Sequence, residues 1–540
     1  MELLAELLSI AHDADAVEDR FYRELEFGTG GLRGVLGAGT NRMNVLTVGK
    51  ATQGYADYLH RHFERPSVAI SYDSRRNSAL FARCAACVFA ANGIAVHLYS
   101  RLMPTPALSF AVRELGCSGG IMTTASHNPA KYNGYKVYGA DGCQITTEAA
   151  AEIQAAINAV DLFTQVRTGE YDDFAAQGLI TLIPEAVTDR YLQTVACCSL
   201  ADPALRRELA LVYTPLNGAG ISVVPELLRR QGYTNLVIPE AQREPNGDFP
   251  TCPYPNPEIR EALELGLETA RSIGSDLVLA TDPDCDRVGC AVRDGDDYRL
   301  ISGNEMGCLL LDYVCRRRLA LGNMPEHPVA IKTIVTTPMA AGIAEAYGVE
   351  LRNVLSGFKF IGEQIGCLEA EGREGDYIFG FEESYGYLSG SYVRDKDGAN
   401  AALLICEMVC DYAAAGVSLS QALDALYERF GFYETQLLSY AFEGSAGFER
   451  MQALMSGLRA QPPAALAGES VLSCTDYLHG DTGLPASDVL RYTLACGEAV
   501  VRPSGTEPKL KVYLTVCADR PAESRRLCEQ LKEHFDLWAR

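Results

Sequence analysis

The feature that most constrains the fold of this chain is an alternation of β-type and helical runs that occurs three times along the sequence. Alternating strands and helices are typical of α/β domains whose sheets are mostly parallel. In each copy the last β-type run ends in a polar loop, at residues 125–129, 281–287 and 380–384. We therefore predict three similar α/β domains with mixed, mostly parallel sheets, at residues 1–200, 201–300 and 301–430.

The pattern changes after about residue 430, where two alternating runs flank a stretch rich in Pro, Ala and Gly. This change predicts a C-terminal α+β domain at residues 431–540. Because open α/β sheets bind ligands at the carboxyl ends of their strands, we expect the polar loops to face one central cleft. The sequence also predicts helices over residues 18–25 and 362–371.

Size and charge limit the function classes that remain. A chain of 540 residues holds three or four domains at about 100 to 200 residues each. The net charge of -23 argues against a nucleic-acid partner, because binding a polyanion requires an excess of Lys and Arg. Small phosphate esters stay possible, since they need only a few cations and N–H groups in one cleft.

The sequence favours a cytoplasmic protein without a membrane partner. Its first residues lack the basic start and apolar core of a signal peptide, and no apolar run of about 18 residues occurs. The 18 cysteines are scattered through apolar stretches, so we expect mostly buried, reduced thiols. The CxxC pair Cys84 and Cys87 falls in a helical run without a second pair or a nearby His, which indicates a structural role.

An acidic loop is the first candidate site. Asp282, Asp284 and Asp286 are spaced by two residues, and carboxylates this close repel unless they are protonated or bind a hard cation. Arg287 and Arg293 occupy positions where an EF-hand needs Gly and Glu, which excludes that motif. Three carboxylates leave coordination positions of a cation open, which suits a Mg²⁺ ion that also binds a phosphate oxygen. The alternative interpretation of this loop is an exposed acidic turn without a metal.

Two further candidates lie close together in sequence. Ser126 occupies a turn that Pro129 removes from regular hydrogen bonding, so it is either a nucleophile or an ordinary turn serine. Lys136 follows where a β-type run resumes. A lysine near other cations loses its proton more easily and can act as a general base, whereas a solvated lysine is the alternative.

Two loops have the composition of anion sites. The glycine-rich segment 28–34 resembles a dinucleotide loop, but Arg33 replaces its last glycine and a helical run precedes it, which disfavours NAD. Its glycines instead allow Arg33 to reach an anion. Near the C-terminus, one turn contains Arg502, Ser504, Gly505 and Thr506. This turn combines a guanidinium, two hydroxyls and a flexible backbone, as a phosphate-binding loop does, and a plain β-turn is the alternative.

Five segments in order resemble those of the α-D-phosphohexomutase family, which includes phosphoglucomutase and phosphomannomutase, and the resemblance covers nearly the whole chain. They are Gly28–Gly34, Thr124–Pro129 with Asn133–Lys136, Asp282–Arg287, Gly380–Ser384 and Arg502–Thr506. The resemblance implies an intramolecular phosphotransferase that converts glucose 1-phosphate to glucose 6-phosphate through a phosphoserine and glucose 1,6-bisphosphate, which also serves as activator. A monomer or homodimer is expected.

The resemblance also implies roles for individual residues. Ser126 is expected to carry the phosphoryl group and to bind one Mg²⁺ together with Asp282, Asp284 and Asp286. Lys136 is expected as general acid/base with His127 beside it, and Arg33 and Arg287 as contacts of the reacting phosphate. The substrate is expected to contact Glu382, Ser384, Arg502, Ser504, Gly505 and Thr506, with Lys359 and Lys332 as further candidates.

Two departures from the family pattern leave the sugar open. Cys285 occupies a position where the family usually has Gly or Ala, and Phe381 is inserted before Glu382. The insertion, with the segment Arg394–Gly398, resembles the branch that holds glucose-type mutases and phosphopentomutases. Phosphopentomutase and phosphomannomutase activities are therefore alternatives. A phosphoserine-type phosphatase and a non-catalytic sugar-phosphate sensor are rivals, although the sensor predicts damaged motifs and all are present.

Overall fold

The computed structural model describes residues 2–28, 30–442, 444–503 and 509–539. Four sheets are present in this part of the chain, three with parallel strands and a fourth that is entirely antiparallel. They span residues 31–182, 211–301, 329–388 and 432–518. The predicted fold class is confirmed. The proposed domain boundaries at 200, 300 and 430 stay a prediction.

The first sheet has six strands in the order β1-β5-β4-β2-β3-β6, with β2, β3, β4 and β6 parallel. The elements up to its end are α1 Glu2–Ile10, α2 Ala14–Phe21, β1 Gly31–Val35, α3 Val45–His62, β2 Ser67–Tyr72, α4 Ser78–Ala91, β3 Ala95–Leu98, α5 Thr105–Glu114, β4 Gly119–Thr123, β5 Tyr132–Gly139, α6 Thr147–Ala159, α7 Tyr171–Ala176, β6 Ile180–Leu182 and α8 Glu185–Cys197.

The second sheet has the order β11-β10-β9-β7-β8, with β7, β8 and β9 parallel. Its elements are β7 Leu211–Thr214, a 3₁₀ turn Ala219–Ser222, α9 Val224–Arg230, β8 Leu236–Val237, α10 Glu240–Arg243, α11 Arg260–Ile273, β9 Leu277–Thr281, β10 Val288–Asp294 and β11 Asp297–Ile301.

The third sheet has the order β13-β12-β14-β15, with β12, β13 and β14 parallel. Its elements are α12 Gly303–Leu321, β12 Val329–Thr333, α13 Met339–Tyr347, β13 Glu350–Val354, α14 Phe358–Ala370, a 3₁₀ turn Glu374–Asp376, β14 Tyr377–Glu382, β15 Gly386–Leu388, α15 Gly398–Ala414 and α16 Leu419–Phe430.

The fourth sheet is antiparallel, in the order β16-β21-β20-β19-β18-β17, and α18 packs on β16 and β21. Its elements are β16 Phe432–Ala441, α17 Gly444–Ala460, β17 Ala465–Leu466, β18 Glu469–Asp476, β19 Leu490–Leu494, β20 Gly497–Pro503, β21 Lys509–Ala518 and α18 Pro521–Ala539. No single helix in the described residues is long and apolar enough to cross a membrane; only α15 and α16 taken together, bent by 88°, reach that length and composition.

The three mixed sheets share one feature that positions the polar loops. In each, one parallel strand turns back directly into an antiparallel neighbour, as β4 into β5, β9 into β10 and β14 into β15. The loop at 281–287 fills its reversal, the loop at 125–129 lies within the reversal 124–131, and the third loop begins on the last residues of β14. The loops therefore lie at the carboxyl ends of buried strands, where α/β sheets bind ligands.

Two of the predicted helices differ from the structure at their ends. Helix α2 ends at Phe21, and the chain beyond it bonds across to another loop instead, since Leu25 N donates to Thr40 O at 3.0 Å. Helix α14 begins four residues earlier than predicted, at Phe358. Its start is fixed by a distant carboxylate, because Glu382 Oε1 accepts the N–H of Gly357 at 2.9 Å.

Apolar packing joins the first three sheets into one body. The largest buried cluster runs from Ala69 to Leu426, whereas a separate cluster fills the C-terminal domain from Phe442 to Phe535. All 18 cysteines are free thiols, and 11 of them are buried. Cys84 and Cys87 lie on α4, which fits the predicted structural role of that pair.

Candidate active site

Ser126 lies in the reversal between β4 and β5, almost completely buried. Its hydroxyl donates to Asp282 Oδ2 at 2.7 Å and lies 3.2 Å from His127 Nδ1. The serine comes from the first sheet and the aspartate from the second. The structure therefore brings the candidate nucleophile and the acidic loop into direct contact across a domain boundary.

Each of the three strand reversals that hold the polar loops contains one non-glycine residue with a left-handed backbone. Ser126, Cys285 and Tyr385 have φ values of 50°, 53° and 63°, in a region that costs other residues more than glycine. Non-glycine residues in this region cluster at functional sites, where surrounding structure holds them. The positive φ of Cys285 also explains why a glycine suits this position. The Cys285 thiol does not separate the carboxylates of Asp284 and Asp286 on either side of it.

The acidic loop offers a compact set of oxygen ligands. One carboxylate oxygen from each of Asp282, Asp284 and Asp286 lies within 4.8 Å of the other two, and all three side chains are buried. The backbone shapes the loop, since the N–H groups of Asp286 and Arg287 both donate to Asp282 Oδ1 at 3.1 Å. Thr105 at the start of α5 donates to Asp284 Oδ2 at 2.8 Å.

Charge and hydrogen bonding in this loop fit a bound cation. The buried Oδ1 atoms of Asp284 and Asp286 have no hydrogen-bond partner among the described residues. Burial, together with the charges of Asp284 and Asp286, raises the pKa of Asp282 well above its usual range. Buried carboxylates that repel and have free oxygens are stabilised by a hard cation with oxygen ligands.

Two lysines face the acidic loop. Lys136 Nζ lies 2.7 Å from Asp284 Oδ2 and 3.4 Å from Asp286 Oδ2, and Lys396 Nζ lies 3.1 Å from Asp286 Oδ2. Burial lowers the pKa of Lys136, but the two aspartates outweigh it and the pKa is raised. The expectation that neighbouring cations lower this pKa is therefore wrong for the structure described, because carboxylates are the nearest charged groups.

Cations also border the serine on the other side. Arg287 pairs with Glu258 and lies 3.9 Å from Asp286 Oδ1 through its Nε atom. Burial lowers the pKa of His127 well below its usual range, and the charges of Arg287 and Arg33 lower it further. His127 is therefore neutral at physiological pH and adds no positive charge beside Ser126.

Arg33 reaches this region because β1 pairs with β5. The pairing places Gly31 opposite Lys136 and Arg33 opposite Gly134. Gly31 has a φ of 153°, and a Cβ atom there would lie 2.0 Å from the carbonyl oxygen of Tyr135. Only glycine permits this close approach, so the glycine-rich segment brings β1 against β5.

The third loop places two glutamates in buried surroundings. Burial raises the pKa of Glu382 to about 7, with Lys396 and Arg287 opposing and Glu383 adding to the rise. Glu383 Oε2 accepts hydrogen bonds from Thr333 and Thr336 at 3.2 and 3.1 Å. Ser384 lines a cavity of about 180 Å³ that the third and fourth sheets share.

The remaining candidates divide. Lys359 lies in a separate cavity of about 620 Å³ between α14 and the segment after β5, which none of the other candidate residues lines. Lys332 is buried and donates to the carbonyl oxygens of Thr333 and Thr336 at 3.1 and 2.9 Å. Arg502 donates to Ser356 Oγ at 2.9 Å, which brings β20 to the third domain. Ser504, Gly505 and Thr506 lie outside the described residues.

Sequence reasoning missed two residues of this region. Lys396, which contacts Asp286, lies between Asp395 and Asp397 and two residues after Arg394, and this cluster of alternating charges was a signal available in the sequence. Arg75 follows β2 and donates to Ser126 O at 3.1 Å. The rule that ligands bind at the carboxyl ends of parallel strands applied to this loop as well.

Comparison with known proteins agrees with this geometry. Family models described as phosphoglucomutase/phosphomannomutase alpha/beta/alpha domains I, II and III match residues 24–163, 189–295 and 302–430. The model of the C-terminal domain of the same family matches residues 459–534.

Whole-chain similarity is also extensive. A phosphoglucomutase of Staphylococcus saprophyticus is 36% identical, covering 91% of this chain and 90% of its own length. One of Staphylococcus haemolyticus is 36% identical, with coverage of 93% and 92%.

Two solved structures share the fold. A phosphoglucomutase/phosphomannomutase family protein of Burkholderia thailandensis has a TM-score of 0.71 at 19% identity, covering 94% of this chain and 96% of its own. The Paramecium phosphoglucomutase parafusin has a TM-score of 0.70 at 17% identity, with coverage of 95% and 96%. The chain belongs to the phosphoglucomutase/phosphomannomutase family.

Proposed function

We propose that this protein is a phosphoglucomutase that interconverts glucose 1-phosphate and glucose 6-phosphate. The observation that carries the proposal is the 2.7 Å contact of the Ser126 hydroxyl with Asp282, inside a buried acidic cluster. The phosphoglucomutases that resemble it over nine-tenths of its length support the choice of glucose. Such an enzyme is an intramolecular phosphotransferase of the isomerase class.

The proposed cofactor is one Mg²⁺ held by Asp282, Asp284, Asp286 and the oxygen on Ser126. When bound, it neutralises charge on the transferring phosphoryl group and orients it for in-line displacement. The two unpartnered Oδ1 atoms of the cluster support this assignment, because a hard cation would give them a partner. Arg33 and Arg287 approach the same phosphoryl oxygens as donors.

The first half-reaction moves the phosphoryl group from Ser126 to a sugar hydroxyl. The bond from phosphorus to the serine oxygen breaks, a bond to the sugar oxygen forms, and the hydroxyl proton passes to Lys136. The pKa of Lys136 is raised by the carboxylates of Asp284 and Asp286. Because these carboxylates are the proposed metal ligands, their pull on the Lys136 proton weakens when the site is filled.

The second half-reaction returns the other phosphate of glucose 1,6-bisphosphate to Ser126: the bond from phosphorus to the sugar oxygen breaks, a bond to the serine oxygen forms, and Lys136 returns its proton to the sugar oxygen. The bisphosphate must turn over in the cleft, so the distal phosphate needs a cradle that accepts either end. We assign this cradle to Arg502, Ser504, Gly505 and Thr506, and the sugar hydroxyls to Glu382 and Ser384. Transfer to water must be excluded meanwhile, which a closing C-terminal domain achieves.

A coupled assay tests the proposed function. Glucose 1-phosphate with Mg²⁺ and a trace of glucose 1,6-bisphosphate should give glucose 6-phosphate, faster than ribose 1-phosphate or mannose 1-phosphate reacts. Faster turnover of either competitor would move the assignment to a phosphopentomutase or a phosphomannomutase. Release of inorganic phosphate without isomerisation would identify a phosphatase. No turnover of any of these sugar phosphates would favour a non-catalytic sugar-phosphate sensor.

The ionisation of Glu382 should control sugar binding. Its pKa is raised to about 7, so the carboxylate becomes a full hydrogen-bond acceptor only above that pH. We expect kcat/KM for glucose 1-phosphate to rise as pH increases through about 7 and then to level off. In Glu382→Gln this inflection should disappear, and KM should rise about tenfold, as is typical of a lost charged hydrogen bond.

The control for this profile is Glu363→Gln, which changes an exposed carboxylate on α14 and should keep the inflection. The substrate phosphate titrates in all three proteins, so it cancels in the comparison. An unchanged inflection in Glu382→Gln would exclude Glu382 as its source.

Arg502 should act through binding of the distal phosphate. Replacing it by Gln removes a charged donor, so we expect KM for glucose 1-phosphate to increase about 10- to 100-fold while kcat changes less. Steady-state kinetics at saturating Mg²⁺ measure both values. Arg520→Gln makes the same charge change at an exposed position of the same domain and should leave KM unaltered. A fall in kcat at constant KM would contradict the assignment.

A further inference from the structure

A buried arginine, Arg75, to which the proposed mechanism gives no role, binds the backbone of the Ser126 loop. The Arg75 side chain has no exposed surface. Its guanidinium donates to four carbonyl oxygens of one loop, those of Ser126 at 3.1 Å, Pro129 at 3.1 Å, Tyr132 at 3.0 Å and Asn128. Because a guanidinium presents its donors in fixed directions, it fixes these four oxygens relative to one another.

Asp73 completes the support on the amide side of the serine. Its Oδ1 atom accepts the N–H of Arg75 at 2.9 Å, and its Oδ2 atom accepts the hydroxyl of Thr124 at 2.6 Å. The same hydroxyl accepts the N–H of Ser126 at 2.8 Å. Ser126 is therefore held at both its N–H and its carbonyl oxygen, which stabilises its left-handed backbone.

The face of the Arg75 guanidinium is covered by the second domain. The ring of Phe249 lies 5.1 Å from it and is buried, and Phe249 itself has a φ of 46°. Gly247 pairs with Arg75 in an isolated parallel bridge, and a Cβ atom at Gly247 would lie 2.4 Å from Arg76 N. The segment 246–249 is thus seated closely on the turn that supports the serine.

The second domain consequently meets Ser126 along two routes. It supplies Asp282 directly, through the loop after β9, and it supplies Phe249, through the guanidinium behind the serine. Transfer in line requires the nucleophile oxygen and the acidic loop to be aligned closely, and a misplacement of about 1 Å costs on the order of 100-fold in rate.

We propose that Arg75 and Phe249 are positioning residues that align the Ser126 oxygen with the acidic loop of the second domain. This proposal rests on the proposed function, in which Ser126 carries the phosphoryl group. Neither side chain reaches the substrate, because Arg75 is buried under the loop and Phe249 under Arg75. Their effect is on transfer from Ser126, and substrate binding is unaffected.

The test uses two variants of the full-length, Mg²⁺-loaded protein. Phe249→Leu keeps an apolar side chain and removes the ring face, and Arg75→Lys keeps the charge but replaces the planar fork by one ammonium group. Tyr171→Leu is the matched control. It removes a ring that lies 4.1 Å from the guanidinium of Arg83, elsewhere in the first domain, which also contains Arg75. Melting temperature and circular dichroism report folding.

Each protein is labelled on Ser126 with ³²P-glucose 1,6-bisphosphate, and label transfer to glucose 1-phosphate and to water is timed. In Phe249→Leu we expect sugar transfer and kcat to fall about tenfold, KM to stay within about twofold, and the ratio of sugar to water transfer to decrease. Arg75→Lys should show a larger fall of the same kind. Tyr171→Leu should keep the wild-type ratio.

A wild-type ratio and kcat in a folded Phe249→Leu protein would overturn the proposal. If Arg75→Lys does not fold, the Phe249 variant alone decides the matter. A wild-type protein that takes up no label on Ser126 would overturn the proposed function, and the positioning role with it. Labelled, active wild type with unaffected variants would overturn the positioning role alone.

Discussion

Ser126→Ala should lose turnover of glucose 1-phosphate by on the order of 10⁵-fold or more, since removing a covalent nucleophile removes the reaction path itself. The Ser126 oxygen both carries the phosphoryl group and contacts Asp282 at 2.7 Å, so no neighbouring hydroxyl can replace it without rebuilding the loop. The variant should also take up no ³²P from labelled glucose 1,6-bisphosphate. The coupled assay and the labelling measure these two losses independently.

The control is Ser222→Ala, which removes a hydroxyl that donates to Leu102 O at 3.1 Å in the second domain. It should keep labelling and turnover near the wild-type values. Because Ser126 has a left-handed backbone, its Ala variant should also melt slightly earlier, and its circular dichroism should confirm that it is folded. Residual turnover within tenfold of wild type in a folded Ser126→Ala protein would contradict the phosphoserine mechanism.

Chelating divalent cations should abolish turnover and lower the melting temperature, and Mg²⁺ should restore both. Burial, with Asp284 and Asp286 nearby, raises the pKa of Asp282 well above its usual range. In the folded, metal-free protein Asp282 keeps its proton up to the raised pKa, whereas in the unfolded chain it releases the proton near pH 4. The free energy of unfolding therefore falls as pH rises from about 4 towards the raised pKa. A bound cation removes this penalty, and the stabilisation by Mg²⁺ should be larger at about pH 8 than at about pH 5.5.

Differential scanning fluorimetry with and without Mg²⁺ measures this stabilisation, which amounts to about 2.7 kcal/mol at a free concentration of about 100 times Kd. Asp284→Asn should lose most of the Mg²⁺-dependent shift. Asp312→Asn, which changes a buried carboxylate on α12, should retain it. A shift of equal size at both pH values, or one that survives in Asp284→Asn, would argue against cation binding at this cluster.

Much of the fold could be predicted because its signals are local. The alternation of β-type and helical runs predicted three α/β domains, and three buried strands were expected to end in polar loops. Ser126 and the three aspartates were recognised for the same reason, since each lies where a buried apolar strand gives way to polar residues. The start of α14 was missed, because Glu382, 25 residues away, fixes it through Gly357.

The sequence by itself determined the fold class, the family and the chemical types present at the site: a serine, clustered carboxylates and scattered cations. Only the tertiary structure decided which of these groups meet. Lys136 and Lys396 contact the same aspartate, Asp286, from different domains, and Arg75 reaches Ser126 from a neighbouring strand. Strand pairing and domain packing create these contacts between residues far apart in sequence, so local patterns could not reveal that nearby carboxylates outweigh burial and raise the pKa of Lys136.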